Sequence, residues 1–89
     1  MPHYVYILKS QSSGYYYKGY TTDYKKRLEE HNADLSRWTA GKGPWTLVYL
    51  ETCDSKTAAL KREKMLKRQN HDYLEWLFGQ ESNEVSRLS

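Results

Sequence analysis

Side chains of types that serve phosphodiester chemistry fall at ordered positions along this sequence. The patches Tyr4-Val5-Tyr6 and Tyr17-Lys18-Gly19 each put a phenol on a strand, Arg27 and His31 are four apart, and Glu63 is the one acid in a strongly basic stretch. Phosphodiester hydrolysis requires a deprotonated water, a cation on the phosphoryl oxygens and a group that steadies developing charge. A phenol or imidazole can accept the proton of water. Arginine offers a planar fork to phosphate that lysine fills less well. One carboxylate suffices for Mg²⁺ when water and phosphate complete its ligands. Bland readings stand beside these. Arg27 could pair with Glu30 or Asp23, Glu63 could pair with Lys67 at i,i+4, and His31 could be a partly buried histidine at a helix end.

The elements that must position these residues can be read from pattern. His3 to Leu8 reads as a strand with Tyr4, Tyr6 and Leu8 on one face and Val5 and Ile7 on the other. A polar turn separates it from a second strand, Tyr15 to Tyr20, so the two predict an antiparallel hairpin with a loop of five or six residues. Gly19 within that strand permits close approach of another group.

Thr22 or Asp23 is placed to cap a helix running to about Asn32, along which Tyr24, Arg27, Leu28 and His31 share a side. The following stretch to Pro44 is a loop by composition, with Trp38 expected to anchor it on the core. Trp45 to Glu51 predicts a third strand. Asp54 or Ser55 caps a helix from about Lys56 to Gln69; Asn70 interrupts, and Tyr73 to Phe78 forms a last short helix ended by Gly79. The order β-β-α-β-α-α predicts an α+β fold, a three-stranded, largely antiparallel sheet flanked by helices, in one domain over residues 1–79 with a frayed tail over 80–89.

At 89 residues the chain has room for one modest core, so a site must be built at its surface. The single cysteine, Cys53, excludes an internal disulfide and a cysteine zinc cluster. With no signal-like or membrane-length apolar run, the expected location is cytoplasmic, with no membrane partner. The net charge of +3 understates an asymmetry: residues 1–71 carry 13 Lys/Arg against 7 Asp/Glu, a surplus that favours a polyanion. Lys18, Lys26, Lys42, Lys61, Arg62, Lys64 and Lys67 are the expected nucleic-acid contacts. His3 and His71 have no companions at ligand spacing and read as structural.

Taken in order, the motifs resemble the GIY-YIG nucleases, in the small stand-alone form similar to the nuclease domain of the excision-repair incision subunit. The resemblance spans roughly residues 3–78. Its first motif stands as Tyr4-Val5-Tyr6-Ile7-Leu8 and its second as Tyr17-Lys18-Gly19-Tyr20-Thr21. The run Arg27 to Asn32, Thr39, the strand Pro44 to Tyr49 and the run Ala59 to Lys64 follow in order. The first motif's glycine is Tyr4 here and the second motif's isoleucine is Lys18, which strand alternation sends to the face opposite Tyr17. The asparagine found near the end of some family domains has no clear match, since Asn70 is close to Glu63 and Asn83 falls in the expected tail.

The resemblance implies that Tyr6 and Tyr17 are the motif tyrosines, Arg27 the catalytic arginine, Glu63 the single metal-binding carboxylate, and His31 a proton acceptor used by some members. Tyr17 is the expected general base. One divalent ion, Mg²⁺ or Mn²⁺, is implied as cofactor, and DNA as substrate with RNA as the alternative. The expected activity is that of a structure- or backbone-directed DNA endonuclease of the repair or recombination kind. A catalytically weak binding module of the same fold is the alternative, and a protein-interaction domain a more distant third. A monomer is expected, with a dimer as the alternative.

Overall fold

The computed structural model describes residues 1–88. Three strands, β1 (His3–Ser10), β2 (Tyr16–Thr21) and β3 (Trp45–Cys53), form one antiparallel sheet in the order β2-β1-β3. Three helices complete it: α1 (Tyr24–Asn32), α2 (Lys56–Leu66) and α3 (His71–Phe78). The architecture is α+β in the expected order, with each strand and helix within a few residues of its expected bounds.

Central placement of β1 explains why its alternation is apolar on both sides. Val5 and Ile7 pack with Tyr49 against Ala59 and Leu66 of α2 and Leu74 and Leu77 of α3. Tyr6 and Leu8 point the other way and join Trp45 and Leu50, covered by Tyr24 and Leu28 of α1. A strand paired on both edges and buried on both faces is the most constrained position in a small sheet. Its register is therefore a dependable reference for the side chains it carries.

Local capping sets the helices. The Asp23 carboxylate accepts from Lys26 N–H, Ser55 Oγ from Ala58 N–H and Asn70 Oδ1 from Tyr73 N–H, each satisfying an orphan donor of a first turn. Asn70, expected only to interrupt, thus starts α3, and Gly79 ends it.

Two expectations are corrected here. Residues 80–88 are not a frayed tail, and the packed domain runs past residue 79; Ser89 lies outside the described residues. Asn83 is buried and makes four side-chain bonds: it accepts from Leu50 N–H (3.2 Å) and Val85 N–H (3.1 Å) and donates to Val48 O and Phe78 O (2.9 Å each). Glu84 accepts from the Thr52 amide and hydroxyl, so the segment covers the outer edge of β3. Polar composition suggested disorder, but these polar groups serve the unpaired edge of a strand, a use that composition does not reveal. Trp38 is the second correction. It is 69% exposed, and the loop is anchored instead by Thr39 and Trp45.

The Asn83 clamp carries a stability prediction. Asn83→Ala leaves the buried Leu50 amide and Val48 carbonyl without partners, at a cost of about 2–4 kcal/mol. Urea unfolding measures it; a loss below about 0.5 kcal/mol would mean that the clamp contributes nothing to the fold.

Candidate active site

Register brings the two motif tyrosines together. Tyr6 pairs with Gly19 and Leu8 with Tyr17, so both phenols lie on the α1 face of the hairpin with ring centroids 6.3 Å apart. Gly19 is required at its position: a Cβ there would stand 2.5 Å from the Tyr6 ring and hydroxyl, so the missing side chain is the space that the phenol occupies. Helix spacing then delivers Arg27 and His31 to the same place from α1.

His31 is fully buried and saturated. Its Nδ1 is 2.6 Å from Thr39 Oγ1 and its Nε2 is 2.9 Å from the Tyr6 hydroxyl, with Arg27 Nη2 3.5 Å away. With the Tyr6 O–H and the Arg27 guanidinium both aimed at Nε2, that nitrogen accepts and Nδ1–H donates to Thr39. Burial first, and the Arg27 charge second, push the His31 pKa from 6.5 down to about 4. The imidazole is therefore neutral at pH 7. Burial likewise pushes the Tyr6 phenol up to about 12, although the bond from Arg27 opposes that rise; the Tyr17 and Glu63 charges add to it.

A pH prediction follows from the histidine. Its folded pKa lies below the unfolded value, so its full contribution to stability holds above about pH 6.5. As pH falls toward 4 the unfolded chain binds the extra proton, and about 3 kcal/mol is lost. Unfolding midpoints at pH 7 and 4.5 should therefore fall more steeply in the wild type than in His31→Gln; parallel curves would contradict a buried neutral imidazole.

Arg27 donates through Nη1 to Glu30 Oε1 at 2.8 Å, one of the ion pairs open from sequence, and its side chain keeps 33% of its surface accessible. It thus serves two neighbours and still meets solvent. Glu63, with 18% of its side chain accessible, lies 3.7 Å from Lys67 Nζ, so the i,i+4 pair is present as a loose contact. The carboxylate also lies near enough to Tyr6 to raise that phenol's pKa. Lys67 in turn neighbours Lys18, whose pKa burial and the Lys67 charge lower. Lys18 is accordingly on the α2 side of β2, opposite Tyr17.

Of the other expected cations, Lys26, Lys61 and Lys64 are exposed, and Lys42 lines a cleft beside Tyr17. Arg62 is the exception. Its Nε donates to Glu51 Oε1 at 3.1 Å, beside the Tyr49 hydroxyl that also bonds Glu51, so it braces α2 on β3 rather than facing a polyanion. His3 and His71 are engaged with Tyr20 and Tyr16, as structural residues would be. A surface cleft of about 520 Å³ between α3 and the C-terminal segment contains none of Tyr6, Tyr17, Arg27, His31 and Glu63.

Among the described residues no group of three His, Cys, Asp or Glu could hold a metal. A single, partly accessible carboxylate such as Glu63 does fit a hard cation that keeps its waters and takes phosphate oxygens as ligands. Thr39, the partner that fixes the histidine, had no assigned role from sequence. Its signal is only positional, eight residues beyond His31 in a loop whose path local pattern does not set.

Comparison with known proteins places the chain in a family. The GIY-YIG catalytic domain model matches residues 2–75. The chain is similar to a UPF0213 protein of Halobacterium salinarum, 44% identical over 77 residues covering 85% of this chain and 99% of that one. It is also similar to UPF0213 protein BH0048 of Halalkalibacterium halodurans, 37% identical over 93 residues covering 100% of this chain and 98% of that protein. The solution NMR structure of BH0048 superposes with a TM-score of 0.59 at 35% identity, covering 92% of this chain and 87% of that one. With the family model spanning most of the chain, and with Tyr6, Tyr17, Arg27 and His31 gathered on the α1 face, this protein belongs to the GIY-YIG nuclease domain family.

Proposed function

We propose that the protein is a metal-dependent endonuclease acting on DNA, with Tyr6 as general base, His31 as the acceptor of its proton, Arg27 on the phosphate and Glu63 as the carboxylate that holds one Mg²⁺ or Mn²⁺. The observation that carries this reading is the line Thr39, His31, Tyr6, with Arg27 against the same imidazole nitrogen. It favours Tyr6 over Tyr17 as base, because Tyr17 meets His31 only through ring contact, with centroids 4.9 Å apart. His31 has no exposed surface and Tyr6 only 2%, and the Tyr6 hydroxyl is the group that donates to His31 Nε2.

In the resting protein the proton stays on Tyr6, since burial disfavours both phenolate and imidazolium. During attack Tyr6 takes a proton from water as its own passes to His31 Nε2, leaving both groups able to return it to the departing oxygen. A divalent ion at Glu63 would polarise the phosphoryl oxygens and lower the pKa of nearby water. Arg27, one third exposed, presents its remaining N–H groups to a phosphate oxygen. For a site carried by this one small domain, backbone and shape recognition, in a repair or recombination setting, fits best.

The test is incubation with Mg²⁺ or Mn²⁺ and a panel of duplex, single-stranded, flap and branched DNAs, beside Glu63→Ala and Arg27→Ala. Cleavage lost in both folded variants supports the reading. Absence of cleavage on every substrate, with salt-sensitive DNA binding retained, would replace it with the binding module.

A further inference from the structure

Beside Tyr17, a cleft of about 210 Å³ is lined by Tyr15, Tyr16, Tyr17, Trp38, Lys42 and Trp45. We propose that it holds one unpaired nucleobase of the strand whose phosphate is engaged by Arg27, stacked on Trp38 and Tyr15 with Lys42 on the adjoining phosphate. The proposal rests on the nuclease reading for the position of that phosphate.

Four observations support it. The cleft is smaller than the roughly 300–1,000 Å³ typical of sites for larger organic ligands, and so suits a single planar group. Tyr15 and Trp38 are 65% and 69% exposed, the latter between Ser36 and Thr39, which are buried. Their exposure does not come from a slack loop. Gly41 N–H donates to Asp34 Oδ1, the Trp45 indole donates to Thr39 O, and Ser10 Oγ donates to Lys42 O at 2.6 Å. An indole held out of the core by a well-bonded loop adds little to packing and offers a stacking platform.

The third observation is charge. The Arg37 guanidinium stands 5.5 Å from the Trp38 ring centroid, Lys42 lines the cleft, and no carboxylate does, which suits a nucleotide better than an acidic peptide. The fourth is continuity, because Tyr17 is a wall of both the cleft and the candidate active site. A base stacked within a duplex cannot enter such a cleft without leaving its neighbours, so the occupant is unpaired.

Binding is read by fluorescence anisotropy in EDTA, where a metal-dependent enzyme cuts nothing, using labelled oligo(dT), a blunt duplex and oligo(rU). Trp38→Ala is expected to weaken oligo(dT) binding roughly 5- to 100-fold while leaving duplex binding and the salt slope unchanged. Trp38→Phe should recover most of the loss, since a smaller ring still stacks. The same loss with oligo(rU) would support the cleft and identify the sugar as immaterial; loss with oligo(dT) alone would support it as a deoxyribose site.

Equal losses on duplex and single strands, no loss on either, or no single-strand binding by the wild type would overturn the proposal. Both variants alter an exposed side chain, and thermal unfolding checks that they fold. Metal-dependent cleavage with an inert Trp38 would remove the cleft alone. A selective Trp38 effect with no cleavage under any metal would keep the cleft and remove the nuclease.

Discussion

Glu63→Gln should lower cleavage on the order of 10³-fold while leaving the fold almost untouched. The other carboxylate near the site, Glu30, is held by Arg27 at 2.8 Å, and among the described residues no metal-binding group of three exists to take over. Losing the carboxylate charge forfeits a cation's stabilisation of the phosphoryl oxygens, worth several kcal/mol, at about 1.4 kcal/mol per tenfold. Glutamine keeps the shape and a contact to Lys67. The pair lost is loose, at 3.7 Å, with Lys67 more than half exposed, so the expected change in stability is within about 1 kcal/mol. Cleavage assays across Mg²⁺ and Mn²⁺ concentrations, with thermal unfolding beside them, measure both quantities. Activity within a few-fold of wild type would exclude Glu63 as the metal anchor.

Tyr6→Phe should reduce kcat about 10²- to 10⁴-fold, the range for loss of a positioned general base. The ring still fills the space above Gly19, so the hairpin keeps its geometry. Removing the hydroxyl takes away the partner of a buried imidazole nitrogen and costs about 1–3 kcal/mol of stability. Tyr17→Phe, which breaks no bond to His31, should cost only about tenfold, as expected for one contact to a charged phosphate. The two variants thus decide between the phenols. If Tyr17→Phe were the more damaging, Tyr17 would be the base and the Tyr6–His31 bond a structural support.

The elements were legible because each carries a local signal. Alternation of Tyr4, Tyr6 and Leu8 with Val5 and Ile7 described a strand with two covered faces, and β1 is the centre of the sheet. Asp23 and Ser55 cap their helices as side chains of their type do. The placement of Arg27 and His31 toward the interior came from helical spacing alone. Errors arose where meaning depended on a distant partner. Trp38 was expected to anchor its loop on the core, but Trp45 at the start of β3 takes that place instead. Arg62 looked like one more cation on a basic helix until Glu51, eleven residues earlier, proved to face it.

Residue types and spacing by themselves determined the strands and the helices, because alternation, capping and turn chemistry act over a few residues. Only the tertiary structure decided that His31 is sealed from water and speaks to Tyr6, that Thr39 fixes its tautomer, and that Asn83 closes the edge of β3. Those contacts join residues 8 to 35 positions apart. They follow from sheet register and loop path, which hydrophobic burial sets for the chain as a whole and no local pattern encodes.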